Sequence, residues 1–267
     1  MSEAVFRFRE GGSPLVVAMP HVGAAIPAEL ADSLTEAGRA ALDTDWHVDE
    51  LYDFLDELDA TTVVARQSRT AVDLNRSPEN EALYPGRFET GLCPTTTFEG
   101  QPLYREGREP DPAEVARRVE AWWRPYHAQL ERALAATKAR HGYALLLDAH
   151  SIRAEIPMLF EGRLPDVNVG TADGRSCDPR LTARLEDVLK AQDRFTWVVN
   201  GRFKGGWTTR HYGRPAENVH AVQFELVQAA YMDEANPRAF DPTLAKPMRD
   251  LLLELVGAIV DWRPLGR

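Results

Sequence analysis

The run Tyr143-Ala144-Leu145-Leu146-Leu147-Asp148-Ala149-His150-Ser151 decides how this chain is read. Four apolar residues, Ala144 to Leu147, pass without a polar break and give way to an acid, a small residue and a histidine. A short continuous apolar run of this kind fits a strand buried on both faces, as in a parallel sheet. Ligands of open α/β sheets gather at the carboxyl ends of such strands. His150 is therefore expected at the rim of a central strand, where a site can form. The plain alternative is a histidine that only closes a turn.

Working outward, Leu15 to Met19 (LVVAM) reads as a second buried strand that runs into Pro20-His21-Val22-Gly23. Proline and glycine end the strand sharply and leave a second histidine at a strand tip. Further strands are expected at Thr61–Ala65, Thr70–Leu74, Phe195–Val199 and Val219–Leu226. Val48, Leu51, Tyr52, Leu55 and Leu58 recur at helical spacing, so a helix begins near Asp45. Its acids, Asp43, Asp45 and Asp49, could serve only as caps and dipole partners. Asp-Pro pairs at 111, 178 and 241 open three more helices. In the first of these Pro125 is expected to kink the helix, Trp122 and Trp123 to pack in the core, and His127 and His141 to lie at the surface or a helix end. Ser77 to Pro110 has no periodicity and reads as a loop packed over a site. Strands alternate with helices and no linker or repeat interrupts them. The reading is one α/β domain over residues 1–267, with a mixed, mostly parallel sheet flanked by helices.

Composition narrows the function. The chain has 267 residues, a net charge of -10 and a pI near 5.3. An acidic surface argues against nucleic acid, whose phosphates need clustered Lys and Arg. The two cysteines, Cys93 and Cys177, are too far apart to form a C-x-x-C pair, so a disulfide framework or thiolate zinc site is not expected. The N-terminus lacks a signal pattern, and Leu15–Met19 is too short to span a bilayer. A cytoplasmic protein with no membrane partner is expected, and its oligomeric state is open.

Two strand-end imidazoles and a carboxylate from the helix start make the donor set of a catalytic metal site with one open position. Zinc comes first, and manganese, cobalt or iron suit the same donors. Glu225 lies among the apolar residues Val222, Phe224 and Leu226. A buried acid there is either paired with an arginine or placed as a general base. Arg69, Asp73, Asn75 and Arg76 form a charged group, in which Arg76 could fork a substrate carboxylate and Asp73 could pair with an arginine. Lys204, Arg210, His211 and Arg214 add positive charge in the glycine-rich stretch Asn200–Pro215, which lacks the phosphate-loop pattern.

The stretches PHVGAAIP, TDWHVDELYDF, SRTAVDLNR, LYPG, TGLCP, DAHSIR, FEGRLPD, NGRFKGGWTTRHYGRP and HAVQFEL resemble, in order, those of the N-formylglutamate amidohydrolase family. They extend from about Pro14 to Asp233. The resemblance implies a fold like that of the zinc carboxypeptidases. It implies that His21, Asp45 and His150 hold one divalent metal ion, that Glu225 is the base, and that Arg76 grips a substrate carboxylate. It also implies Arg69 or Arg210 at the oxyanion, and Asn75, Lys204, Arg210, His211 and Arg214 among the substrate contacts. In one respect the chain departs from the carboxypeptidase pattern: no Glu follows His21, and Ala24 stands nearby. The acid ligand then comes from the Asp45 region, with Asp49 as an alternative and His47 facing substrate or only packing.

The activity implied is metal-dependent hydrolysis of N-formyl-L-glutamate, a small dicarboxylate, to formate and L-glutamate as the last step of a histidine-degradation route. Rival readings are a hydrolase of another N-acyl amino acid, a ureohydrolase, and a non-catalytic amino-acid-binding protein. The ureohydrolase reading suffers because Ser151 and Ile152, not a second Asp, follow the DAH run.

Overall fold

The computed structural model describes residues 4–83, 86 and 88–265. Tyr84 and Pro85 of the LYPG stretch lie outside them. Seven strands form one sheet: β1 (Phe6–Arg9), β2 (Leu15–Met19), β3 (Thr61–Ala65), β4 (Ala144–Ile152), β5 (Val167–Gly170), β6 (Trp197–Val199) and β7 (Val219–Val227), in the order β1-β3-β2-β4-β7-β5-β6. The four central strands β3, β2, β4 and β7 run parallel. β1 is antiparallel to β3, and β5 is antiparallel to β7. The sheet is thus mixed and mostly parallel, as the alternation of strands and helices predicts.

Two differences from the sequence reading matter for the site. β4 continues through Ile152, because it stays paired with β7 as far as Val227. His150 therefore sits inside a strand rather than beyond its end. Thr70–Leu74 is not a strand but a turn: the Ala71 amide bonds the Ser68 carbonyl, and the Asn75 amide bonds Asp73 Oδ1. Side-chain acceptors outcompete ladder pairing there.

The helices are α1 (Glu36–Ala40), α2 (Val48–Leu51), α3 (Pro112–Arg118), α4 (Arg124–His141), α5 (Pro179–Lys190), α6 (Trp207–Tyr212) and α7 (Pro242–Val260). The three Asp-Pro starts are true caps: Asp111, Asp178 and Asp241 accept from the amides of Glu114, Arg180 and Thr243. Pro125 cannot donate to Ala121, and the turn before it, Val119–Trp123, widens into a π-helical turn in which the Arg124 amide reaches the Val119 carbonyl. α6 went unseen in the sequence, since six residues inside a glycine-rich stretch carry too little periodicity.

Alternating strand residues build a core on each face of the sheet. Leu145, Leu147, Val222, Phe224 and Leu226 pack with α2, α5 and α7. Ala144, Leu146 and Ala221 pack with α4, Trp122, Trp123 and Tyr212. The tryptophan pair is core, as expected. His127 is a correction: it is buried, with Nε2 against the Leu74 carbonyl and Nδ1 against the Tyr212 hydroxyl. It sits one turn after Trp123, on the inward stripe. No described helix is long and apolar enough to cross a membrane.

Candidate active site

The apolar runs of β4 and β7 turn polar at their carboxyl ends on the α4 face. Period-two alternation puts Asp148 and His150 on that face of β4, and Gln223 and Glu225 on that face of β7. The register pairs Asp148 with Gln223 and His150 with Glu225, so the four side chains form a two-by-two block. β2 delivers His21 to the same edge through Pro20. The Asp45 amide then bonds the His21 carbonyl, which draws the turn before α2 against it. α2 begins at Val48 with His47, in a left-handed conformation, at its N-cap. The Asp45 carboxylate is consequently not consumed as a cap.

One ligand atom from each of His21, Asp45 and His150 falls within 4.8 Å of the others, and all three residues are buried. Nδ1 of His150 lies 3.0 Å, and Nδ1 of His21 3.8 Å, from Asp45 Oδ2. The opposite ring nitrogens are held by further carboxylates: His21 Nε2 is 2.6 Å from Asp73 Oδ1, and His150 Nε2 is 2.9 Å from Asp148 Oδ1. An imidazole held through one nitrogen by an acid presents the other in a fixed direction, as metal-ligating histidines do. Arg69 braces Asp73 at 2.6 Å and stacks on the Phe98 ring. Thr209 donates to Asp148. The carboxyl groups of Asp45, Asp73, Asp148 and Glu225 are all buried against Arg69 and two imidazoles. That excess of buried acid, with two aimed Nδ1 atoms, fits a divalent cation.

The electrostatics follow from this crowding. Burial, reinforced by Arg69, lowers the His21 pKa and favours a neutral ring. Burial opposes protonation of His150 too, but Asp148 and Asp45 on its two nitrogens outweigh it and carry the pKa well above the usual range. Burial likewise opposes ionisation of Asp73, yet Arg69 and His21 hold it well below the ordinary carboxylate value. Glu225 is pushed up chiefly by burial, against the pull of His150 and Arg69. Its Oε2 accepts a 3.1 Å bond from Gln223 Nε2.

A pocket of about 620 Å³, counted to its open mouth, lies over the centre and is lined by Arg69, Arg76, Phe98, Arg202, Phe203 and Glu225 among others. Its arginines suit an anionic ligand. Asp49, the alternative acid, is at the surface and pairs with Arg7. His47 bonds Glu50 and the Pro237 carbonyl and packs on Phe240. Asn75 turns inward, its Nδ2 at 2.9 Å from His150 Nε2 and its Oδ1 accepting from the Thr208 amide. Arg76 faces the pocket, with Nε on the Thr90 carbonyl and Nη1 3.5 Å from Glu89.

The pocket lining, among the described residues, takes in neither Lys204 nor Arg210, His211 or Arg214. Lys204 pairs with Asp173 at 2.9 Å, and Arg210 donates to the Gly205 and Leu83 carbonyls. His211 stacks on Trp207, and Arg214 donates to the His211 carbonyl. The loop contributes Arg202 instead, which the sequence reading passed over. Asp148 and Gln223 were also missed, although each stands two residues before a chosen site residue on a strand. Glu89 gave no local signal at all.

The N-formylglutamate amidohydrolase family model matches residues 13–232. An N-formylglutamate deformylase of Pseudomonas aeruginosa is 49% identical over 260 residues, 97% of each chain. One from Pseudomonas putida is 47% identical over the same share. The crystal structure of an N-formylglutamate amidohydrolase from Ralstonia eutropha JMP134 matches with a TM-score of 0.80 and 29% identity, over 96% of this chain and 97% of that one. Sequence likeness along nearly the whole length and a shared fold agree, and the chain belongs to the N-formylglutamate amidohydrolase family.

Proposed function

We propose that this chain hydrolyses N-formyl-L-glutamate to formate and L-glutamate, with His21, Asp45 and His150 holding one divalent metal ion, zinc before manganese, cobalt or iron. The observation that carries the reading is the register of β4 with β7, which sets Glu225 beside His150 under an arginine-lined pocket. When bound, the ion supplies Lewis acidity toward the formyl carbonyl and the attacking water. Glu225 takes a proton from that water as the new C–O bond forms. It returns the proton to the amide nitrogen as the C–N bond breaks, so that free amine and formate leave. Arg69 adds positive charge where the oxyanion develops. Arg76 meets one substrate carboxylate, and the stretch that carries Arg202, Lys204, Arg210, His211 and Arg214 meets the other, with Arg202 in the pocket lining. Asn75, which lines the pocket beside His150, is among the substrate contacts. Free Cys93 and Cys177 support a cytoplasmic setting. On this reading residues 1–267 are one catalytic domain, and the reaction ends a histidine-degradation route, as the family resemblance implies.

The test is formate release by the purified protein from N-formyl-L-glutamate, compared with N-formyl-L-aspartate and with acetate release from N-acetyl-L-glutamate. N-formyl-L-glutamate is expected to be the preferred substrate. A Glu225→Gln variant keeps its metal and loses turnover by roughly a hundredfold or more. Equal use of the acetyl compound would favour a general N-acyl hydrolase, and no product from any of the three would favour a binding protein.

A further inference from the structure

Gln223 is buried, and both ends of its amide are engaged. Its Oε1 accepts from the Gly206 amide at 2.6 Å, and its Nε2 lies 3.1 Å from Glu225 Oε2. The backbone N–H of Gly206 can only donate, so the end of the Gln223 amide facing it must be the oxygen. The NH2 end is then forced toward Glu225, and that bond has one polarity: Gln223 donates and the carboxylate accepts. Gly206 packs closely against Asn75. A Cβ built there would lie 2.2 Å from Asn75 Nδ2, and the next residue, Trp207, donates its amide to the Asn75 carbonyl.

A carboxylate is free to rotate about its last torsion, and a base that rotates presents the wrong lone pair for part of the time. A donor fixed on Oε2 sets the plane and leaves Oε1 for the pocket. We propose that Gln223 is a positioning residue for the general base: anchored on the Gly206 amide, it holds Glu225 Oε2 and orients the carboxylate toward the attacking water. The inference rests on the proposed hydrolytic reading, in which Glu225 is that base.

The experiment compares the wild-type protein with Gln223→Met, Glu225→Gln and the double variant, each loaded with zinc and checked for metal content and folding by circular dichroism. Methionine keeps the length and volume of the side chain and removes both hydrogen bonds. Gln223→Met is expected to lower kcat roughly tenfold or more, with KM and metal content held. In the Glu225→Gln background the same change is expected to have no further effect, since there is no carboxylate left to orient. Gln223→Glu, which places an acid against Glu225, is expected to lose at least as much. An unchanged kcat in Gln223→Met, a loss of zinc in parallel with turnover, or an undiminished effect in the double variant overturns the proposal. Wild-type turnover in Glu225→Gln alone would instead remove the base on which it rests.

Discussion

Each candidate ligand histidine is held through Nε2 by a second carboxylate, and those carboxylates are worth testing as much as the ligands. Asp148→Asn keeps the size of the group that faces His150 Nε2 but removes its charge, while Thr209 still needs an acceptor. Zinc affinity is expected to fall by roughly ten- to a hundredfold, measured by competition with a chromogenic chelator. An unchanged affinity would mean that Asp148 serves only the fold. Glu89 poses a different question. It lies 3.5 Å from Arg76 and accepts from the Leu83 amide, so it competes with a substrate carboxylate for the Arg76 charge. Glu89→Gln is therefore expected to lower KM for N-formyl-L-glutamate several-fold. A higher KM would show that Glu89 supports Arg76 rather than competing for it. His21 and His150 were legible because they follow apolar strand runs, and Glu225 because it is an acid inside one. Glu89 and Arg202 were not, since their place depends on loops meeting across the pocket.

At the scale of the element, α4 and the π-helical turn that leads into it do more than cover the sheet. Trp123 Nε1 of that turn donates to the Arg76 carbonyl, and His127 of α4 bonds the Leu74 carbonyl, so consecutive turns grip both neighbours of Asn75. Burial lowers the His127 pKa from its ordinary 6.5 to about 3. The folded form thus refuses a proton that the unfolded chain accepts. Stability tied to this group is complete above pH 6.5 and drains away as pH falls toward 3, by up to about 1.4 kcal/mol per pH unit. His127→Gln keeps hydrogen-bonding atoms without that proton site. Its urea-unfolding free energy is expected to fall less steeply over the same window, and an equal slope would exclude His127 as the source. Capped helices were legible here because Asp-Pro pairs act locally. The Thr70–Leu74 turn was not, since its alternation imitates a strand and the deciding bonds come from Ser68 and Asp73.

For the molecule as a whole, the mixed sheet follows from sequence because buried parallel strands read as unbroken apolar runs. The flanking β1 (FRFR) and β5 (VNVG) are interrupted by polar residues and carry no unbroken apolar run. The buried acids of the centre are uncompensated by fixed cations alone, and an ion that binds only the folded form must stabilise it. At a hundredfold excess of zinc over its dissociation constant, the melting temperature of chelator-treated protein is expected to rise roughly 5 to 10 °C. No rise would argue against a metal centre. The pairing of His150 with Glu225 has a temporal consequence. A slip of one residue between β4 and β7 would swing Glu225 to the opposite side of the sheet. Residues 21, 45 and 150 also meet only when distant segments have docked. Zinc uptake during refolding should accordingly lag behind helix formation and coincide with the last kinetic phase, making the ion a stopwatch for completed topology.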